Sequence, residues 1–320
     1  MASSDRTFVV TGGTSGLGYE CARTLALDPR NTVVITGRDA TRTRELAATI
    51  GAHGMALDLS SRSSVGAFVA ELVSADLPPL AGLVCNAGVQ FTRRTLTADG
   101  MEATFATNHL GHLGLILDLL DHFTAPARIL LVSSGTHDPD QFTGMPHPLH
   151  ATAHELAYPP PPTESAQRDA RRRYTTSKLA NLRTTYHLAR ELAPRDITVN
   201  AFDPGLMPGT GLARDAGAFQ RLAWKTIARA LVVLPGVRTP QGSGADLAWL
   251  AAAPAREGIT GEYLVRRTPV RSSAASYDEP AQRALYRDSL ELLAELDAGG
   301  PKIGDTPRII GAGRRGYDRQ

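Results

Sequence analysis

A chain of 320 residues, 42% of them hydrophobic, can bury a full core without disulfides or metal, and its length fits one large α/β domain better than two small ones. The formal charge of +2 gives no basis for a nucleic-acid or membrane surface. Two cysteines, Cys21 and Cys85, both lie in apolar stretches, which fits buried thiols in a reducing compartment rather than a disulfide framework. The polar start, Met1 to Arg6, lacks the apolar run of a signal peptide, and no apolar window reaches the roughly 18 residues of a membrane span. The expectation is a soluble cytoplasmic protein.

Short apolar runs alternate with longer helical patterns along the chain, the arrangement of βαβ units and a parallel sheet. Strands are expected at 7–11, 32–36, 53–57, 82–85, 129–133, 198–202 and 262–265, about seven in all. Between and after them come helices at 16–27, 41–50, 63–73, 98–123, 174–192 and 280–296. Several strands are continuous Val/Ile/Leu runs, as expected where helices cover both faces. The pattern is a single doubly wound domain over 1–300, followed by a Gly/Arg-rich tail at 301–320. Two stretches interrupt it: 135–173, rich in Pro and His and ending in Arg171-Arg172-Arg173, and 206–237. Both read as substrate-side insertions, the second as a lid, and the arginine run as a solvated basic face.

The first strand runs into Thr11-Gly12-Gly13-Thr14-Ser15-Gly16-Leu17-Gly18, and a helix follows at once. Glycines there let the backbone turn tightly and approach a pyrophosphate, while the helix amino terminus offers free N–H groups. The second strand ends in Thr36-Gly37-Arg38-Asp39, where NAD-preferring folds place a carboxylate for the ribose 2′-hydroxyl. Arg38 can instead grip a 2′-phosphate through a planar fork, which favours NADP(H). Arg42, one turn on, is a second candidate, and Asp39 is placed to cap the next helix.

Tyr174-Thr175-Thr176-Ser177-Lys178 puts Tyr and Lys four apart on one helix face. A free tyrosine ionises near pH 10, too high for proton exchange near neutrality, and a nearby ammonium and the positive nicotinamide ring of an oxidised cofactor would lower that value.

Taken in chain order, these motifs resemble the short-chain dehydrogenase/reductase family. The Thr-Gly-x-x-x-Gly-x-Gly spacing carries the resemblance, with Asp58-Leu59 after the third strand, Asn86-Ala87-Gly88 after the fourth and the Tyr-x-x-x-Lys pair. The resemblance implies a Rossmann-type α/β fold and a bound nicotinamide cofactor. It assigns Gly12, Thr14, Ser15, Gly16, Leu17, Gly18, Asp58, Leu59, Asn86, Ala87, Gly88, Pro204 and Gly205 to cofactor contacts, alongside Arg38, Tyr174 and Lys178. It makes Tyr174 the proton donor and Lys178 its partner on the nicotinamide ribose. Ser134 would polarise the carbonyl, with Ser133 the alternative. Asn108, in Thr107-Asn108-His109-Leu110-Gly111-His112, would hold a water on a proton path. The threonine usual five residues after the proline of Pro204-Gly205 would fall at Gly209, with Thr210 displaced by one. His109 and His112 lack partners at metal-ligand spacing and read as packing or surface groups, so no metal is expected.

The gap of 174 − 134 = 40 residues between Ser134 and Tyr174 is long for the family. It resembles the branch of carbonyl reductases, retinol-dehydrogenase-like enzymes and protochlorophyllide reductases, and implies a monomer or weak homodimer. The expected function is an NADP(H)-dependent ketoreductase acting on a bulky apolar or aromatic carbonyl or alcohol, such as a secondary metabolite. Two rivals differ from it. A light-driven C=C reductase would carry a cysteine where this chain has Leu206. A non-catalytic NADP(H) sensor would bind cofactor without turnover.

Overall fold

A computed structural model describes residues 5–207 and 238–299. The first half of the chain forms β1 (Arg6–Val10), α1 (Gly16–Leu25), β2 (Asn31–Gly37), α2 (Ala40–Ala48), β3 (His53–Ala56), α3 (Arg62–Ser74) and β4 (Leu80–Cys85). Then come α4 (Ala103–Phe105), a π-turn (Ala106–Leu110), α5 (Gly111–Leu119), β5 (Phe123–Val132), α6 (Ala153–Ala157), α7 (Ala166–Leu192) and β6 (Ile197–Asp203). The last described elements are α8 (Pro240–Ala252), β7 (Tyr263–Val265), β8 (Thr268–Val270) and α9 (Glu279–Asp297).

The strands form one sheet in the order β3-β2-β1-β4-β5-β6-β7-β8. All neighbours are parallel except β7 and β8. The chain runs outward from β1 to β3 and returns to β4 on the other side of β1. This opens a crevice at the carboxyl ends of β1 and β4, where doubly wound folds bind their ligands. Successive side chains on a strand point to opposite faces, so β1 feeds two cores. Val9 joins Val34, Leu83, Ile129 and Val199 against α3, α5, α7 and α9. Phe8 and Val10 join Ile35, Val84, Leu130 and Phe202 against α1 and α8.

The doubly wound sheet agrees with the expectation from sequence, but its details differ. The eighth strand, β8, is a three-residue exposed return, too short to carry a strand pattern. The helix expected at 98–123 starts only at Ala103 and widens into the π-turn, where Gly111 N–H reaches back to Ala106 O. Gly111 is required next to that turn, because a Cβ there would lie 2.1 Å from the carbonyl oxygen of Leu59.

The third difference bears on the site. Helix α7 begins at Ala166, capped by the Ser165 hydroxyl on Arg168 N–H, so the end of the 135–173 insertion is the helix's own first turns. The arginine run is therefore not a solvated face. Arg173 is buried and pairs in a fork with Asp169 at 2.8 and 2.9 Å. Arg172 pairs with Glu164 at 2.8 Å, and Arg171 donates to Gly144 O at 2.6 Å. Every residue from Arg173 to Ala189 is buried, as for a helix packed on all sides. The lid expected at 206–237 lies outside the described residues except for Leu206 and Met207, and the tail at 301–320 lies outside them altogether.

Candidate active site

The glycine turn after β1 is built as a tight backbone cradle. Gly12 and Gly16 have φ of +64° and +57°, a region that side-chain-bearing residues rarely adopt. Gly18 is needed for contact: a Cβ there would come 2.3 Å from Asn86 Nδ2. Thr11 joins this turn to the Asn86-Ala87-Gly88 segment, its hydroxyl accepting from Asn86 N–H at 2.9 Å and Ala87 N–H at 3.0 Å. Asn86 answers by donating its amide to Thr11 O at 2.8 Å. Ser15 caps α1 without a side-chain bond, which leaves the helix's first N–H groups open to an anion. Thr14 lies beside Gly37 at the end of β2, and Leu17 is buried in the core below.

Further along the crevice, Arg38 is exposed at the end of β2 and has no hydrogen-bond or ionic partner among the described residues. Asp39 does not compete for the same ligand, because its carboxylate caps α2 by accepting from Arg42 N–H at 3.0 Å. Asp58 accepts from the N–H and hydroxyl of Ser60, and Leu59 packs on Gly111. A glycine cradle and an open helix terminus together fit the phosphates of a dinucleotide.

At the carboxyl ends of β4, β5 and β6, four side chains approach one another. Asn108, fully buried in the π-turn, exchanges two bonds with the Val89 backbone at 2.8 and 3.0 Å and donates to Ser177 Oγ at 3.0 Å. Lys178 donates its ammonium to Val132 O at 3.0 Å and stands 5.4 Å from the centre of the Tyr174 ring. A Cβ on Gly88 would lie 3.5 Å from Asn108 Oδ1 and 3.7 Å from Lys178 Nζ, so the fourth-strand motif reaches the same point. The Ser134 side chain lies on the Tyr174 side of the strand end, near enough to favour its phenolate. Ser133 points the other way and donates to Lys178 O at 3.0 Å, pinning β5 to α7. Of the two serines, Ser134 faces the tyrosine. Pro204 and Gly205 follow β6, with Pro204 O accepting from the Ser243 hydroxyl at 2.8 Å. Gly209 and Thr210 lie outside the described residues.

Burial and the nearby Asp203 push the Tyr174 phenol well above its ordinary value, and Ser134 only partly offsets them. Burial pulls the Lys178 ammonium down to about 8, against a smaller opposing effect of Asp203.

Three groups near the site were not singled out by sequence as functional. Asp203 closes β6, its carboxylate accepting from the Tyr263 hydroxyl and from Gly205 N–H, both at 2.8 Å. His112 and Asn181 reach the site from behind, His112 through the Asn108 carbonyl at 3.1 Å and Asn181 through Val132 O at 3.2 Å. The lysine usage was a readable sign of the site's demands. Lys178, Lys225 and Lys302 are the only lysines among 34 Lys and Arg residues, so arginine carries nearly all other cationic positions. A lysine can change protonation when buried, whereas an arginine stays charged.

The dinucleotide crevice and the convergence of Asn108, Ser134, Tyr174 and Lys178 define a nicotinamide-type oxidoreductase fold. The family described as short chain dehydrogenase matches residues 6–144. The chain is 33% identical over 301 residues to the WW domain-containing oxidoreductase of Homo sapiens, covering 91% of this chain and 68% of that protein. It is 35% identical over 301 residues to the polyprenol dehydrogenase of Danio rerio, covering 89% and 86%. A solved structure of an uncharacterised protein from Mycobacterium paratuberculosis superposes with a TM-score of 0.68 at 26% identity, over 92% of this chain and 96% of that one. The chain belongs to the short-chain dehydrogenase/reductase family.

Proposed function

We propose that this protein is an NADP(H)-dependent oxidoreductase that interconverts a carbonyl and an alcohol, with Tyr174 as the proton donor. The observation that carries this reading is the buried meeting of Tyr174, Lys178, Ser134 and Asn108 beside an open dinucleotide crevice. A bound dihydronicotinamide would supply hydride to the carbonyl carbon. The chain's own groups do the rest. Ser134 and Tyr174 hold the carbonyl oxygen by hydrogen bonds that strengthen as it becomes an alkoxide. Tyr174, kept protonated by its surroundings, donates the proton to that oxygen. Lys178 anchors the ribose end and stabilises the phenolate left behind, and Asn108 positions the polar path beyond it.

The free guanidinium of Arg38 supports NADP(H) over NAD(H), since it suits a 2′-phosphate. A bulky apolar or aromatic substrate is supported by Leu206, exposed one residue beyond Gly205, and Phe142, exposed on the insertion next to Gln141, which lies against Gly135. The relative named polyprenol dehydrogenase points to an apolar alcohol in the same way. Cover of α7 by α4 and α9 supports a monomer or weak homodimer, and two buried free thiols support a reducing, cytoplasmic setting. Among the described residues no helix is long and apolar enough to cross a membrane.

The test is oxidation of NADPH and NADH against aromatic, polycyclic and isoprenoid ketones and aldehydes, with Tyr174→Phe alongside. Turnover with NADPH that collapses in the variant is expected. Tight NADPH binding with no turnover across the panel would favour the sensor reading.

A further inference from the structure

The chain leaves β5 through a short turn, Gly135–His137, that a buried histidine closes. The Ser134 carbonyl accepts twice from this one residue, from His137 backbone N–H at 3.1 Å and from the ring Nδ1 at 2.7 Å. A carbonyl only accepts, so Nδ1 carries the proton. The other ring nitrogen, Nε2, accepts Ser273 N–H at 3.1 Å. The ring is fully buried, edge-on to Tyr263 of β7 at 5.2 Å, and burial lowers its pKa, which keeps it neutral. With both nitrogens engaged inside the protein, His137 has no proton or lone pair left for a substrate.

The segment behind the ring is fixed to the helix of Tyr174. Ser272 shares a hydrogen bond with the Tyr186 hydroxyl at 2.6 Å, and the Tyr277 ring stacks on that of Tyr186 at 4.9 Å. Tyr186 and Tyr174 both lie on α7. The imidazole therefore spans from the turn that carries Ser134 to a segment held by that helix. Inside the turn, Thr136 N–H donates to the Ser134 Oγ at 3.4 Å. A hydroxyl that accepts there keeps its own proton for an oxygen on the open side. Closing the turn holds the Thr136 N–H in place, and with it the direction of the hydroxyl.

We propose that His137 is a positioning residue for carbonyl reduction: its Nδ1–H clasps the Ser134 carbonyl and, with Ser273 behind it, aims the Ser134 hydroxyl. This rests on the reading of Ser134 and Tyr174 as the groups that hold the carbonyl oxygen. A misaimed hydroxyl loses most where that oxygen becomes an alkoxide, so the damage falls on kcat and leaves cofactor binding intact. A purely structural role would instead lower the stability of any variant and leave kcat of the folded protein unchanged.

Two substitutions divide the bonds of the ring. The amide of Asn puts an N–H near the Nδ1 position and keeps the clasp, whereas Gln reaches the Nε2 position and loses it. With NADPH and phenanthrenequinone, a polycyclic carbonyl probe, His137→Gln is expected to lower kcat about 10- to 100-fold, with NADPH affinity unchanged. His137→Asn should recover most of that loss. In a Ser134→Ala background His137→Gln should cost little more, because the ring acts through that serine. A second readout needs no turnover. In protein labelled with nitrogen-15 histidine, the His137 ring signals, assigned by their loss in His137→Asn, should show the neutral Nδ1–H tautomer at neutral pH. An Nε2–H or cationic ring overturns the proposal, and this measurement decides alone if His137→Gln does not fold or the quinone is not reduced. Native kcat in His137→Gln, or a full further loss in the Ser134→Ala background, overturns it as well. Full turnover in Ser134→Ala would instead sink the reading of Ser134 as partner of the carbonyl, while the tautomer still reports on the clasp.

Discussion

The Nε2 of His112 lies 2.9 Å from the hydroxyl of Thr11, across the crevice between α5 and the glycine turn. Its Nδ1 faces the Asn108 carbonyl at 3.1 Å, and a carbonyl only accepts, so Nδ1 carries the proton. Thr11 therefore donates to Nε2 while accepting from Asn86 and Ala87. One neutral imidazole joins the cofactor cradle to the π-turn that holds Asn108. Replacing His112 by Phe removes both bonds in a dry interior and should cost about 1–3 kcal/mol of stability. Denaturant unfolding measures this, and an unchanged midpoint at unchanged slope would contradict the linkage.

His112 and His109 also predict the acid side of the stability profile. Burial lowers each to about 4, below the ordinary histidine value of 6.5. Both are neutral above that value, where they have no effect on the balance. As pH falls from 6.5 towards 4 the unfolded chain takes up protons that the folded chain refuses, so stability is lost, by about 3 kcal/mol for each over the full passage. Unfolding free energies at pH 7 and pH 5 should differ accordingly. The difference should shrink in a folded His112→Gln variant.

Arg38→Ala should weaken NADPH by about 10- to 100-fold while leaving NADH nearly untouched, as expected for loss of one charge-assisted contact. Equal losses for both cofactors in binding titrations would exclude a role at the 2′-phosphate. A comparable effect in Arg42→Ala alone would move that role one turn along α2.

The serine pair should separate by type of damage. Ser134→Ala should lower kcat by about 100-fold in a protein of native stability, as for removal of one donor to a developing oxyanion. Ser133→Ala should cost about 1 kcal/mol of stability, because it breaks the latch to Lys178 O. The reverse pattern would exchange their roles.

Arg173→Met leaves Asp169 buried beside only a long contact to Arg94 at 3.6 Å, and should destabilise the fold by about 3–5 kcal/mol. Adding Asp169→Leu should restore much of that loss. Calorimetry of the two variants decides the point.

These residues also show what could be read from sequence alone. The glycine turn was legible because a positive φ at Gly12 and Gly16 and the close approach of Gly18 leave little choice of residue type. The Tyr174–Lys178 pair was legible because helix spacing by itself puts both on one face. The partners of Arg172 and Arg173 were hidden, since Glu164 and Asp169 come into register only because α7 starts after Ser165. The π-turn was hidden as well: 103–119 is apolar with either helical period, and the turn accompanies tertiary bonds from Asn108 to Val89 and Ser177. The raised Tyr174 could not be read either, because motif spacing says nothing about how dry a site is.

Helix α7 crosses without a break from the insertion to the far side of the sheet, a rod of about 40 Å for its 27 residues. Its outer end is bolted by Arg171 to Gly144 and by Arg172 to Glu164. Tyr174 sits one residue past the last arginine. If Tyr174 delivers the proton as proposed, the loop that meets solvent and that hydroxyl are one machine part, and a change at 144–147 is expected to lower turnover before it weakens binding.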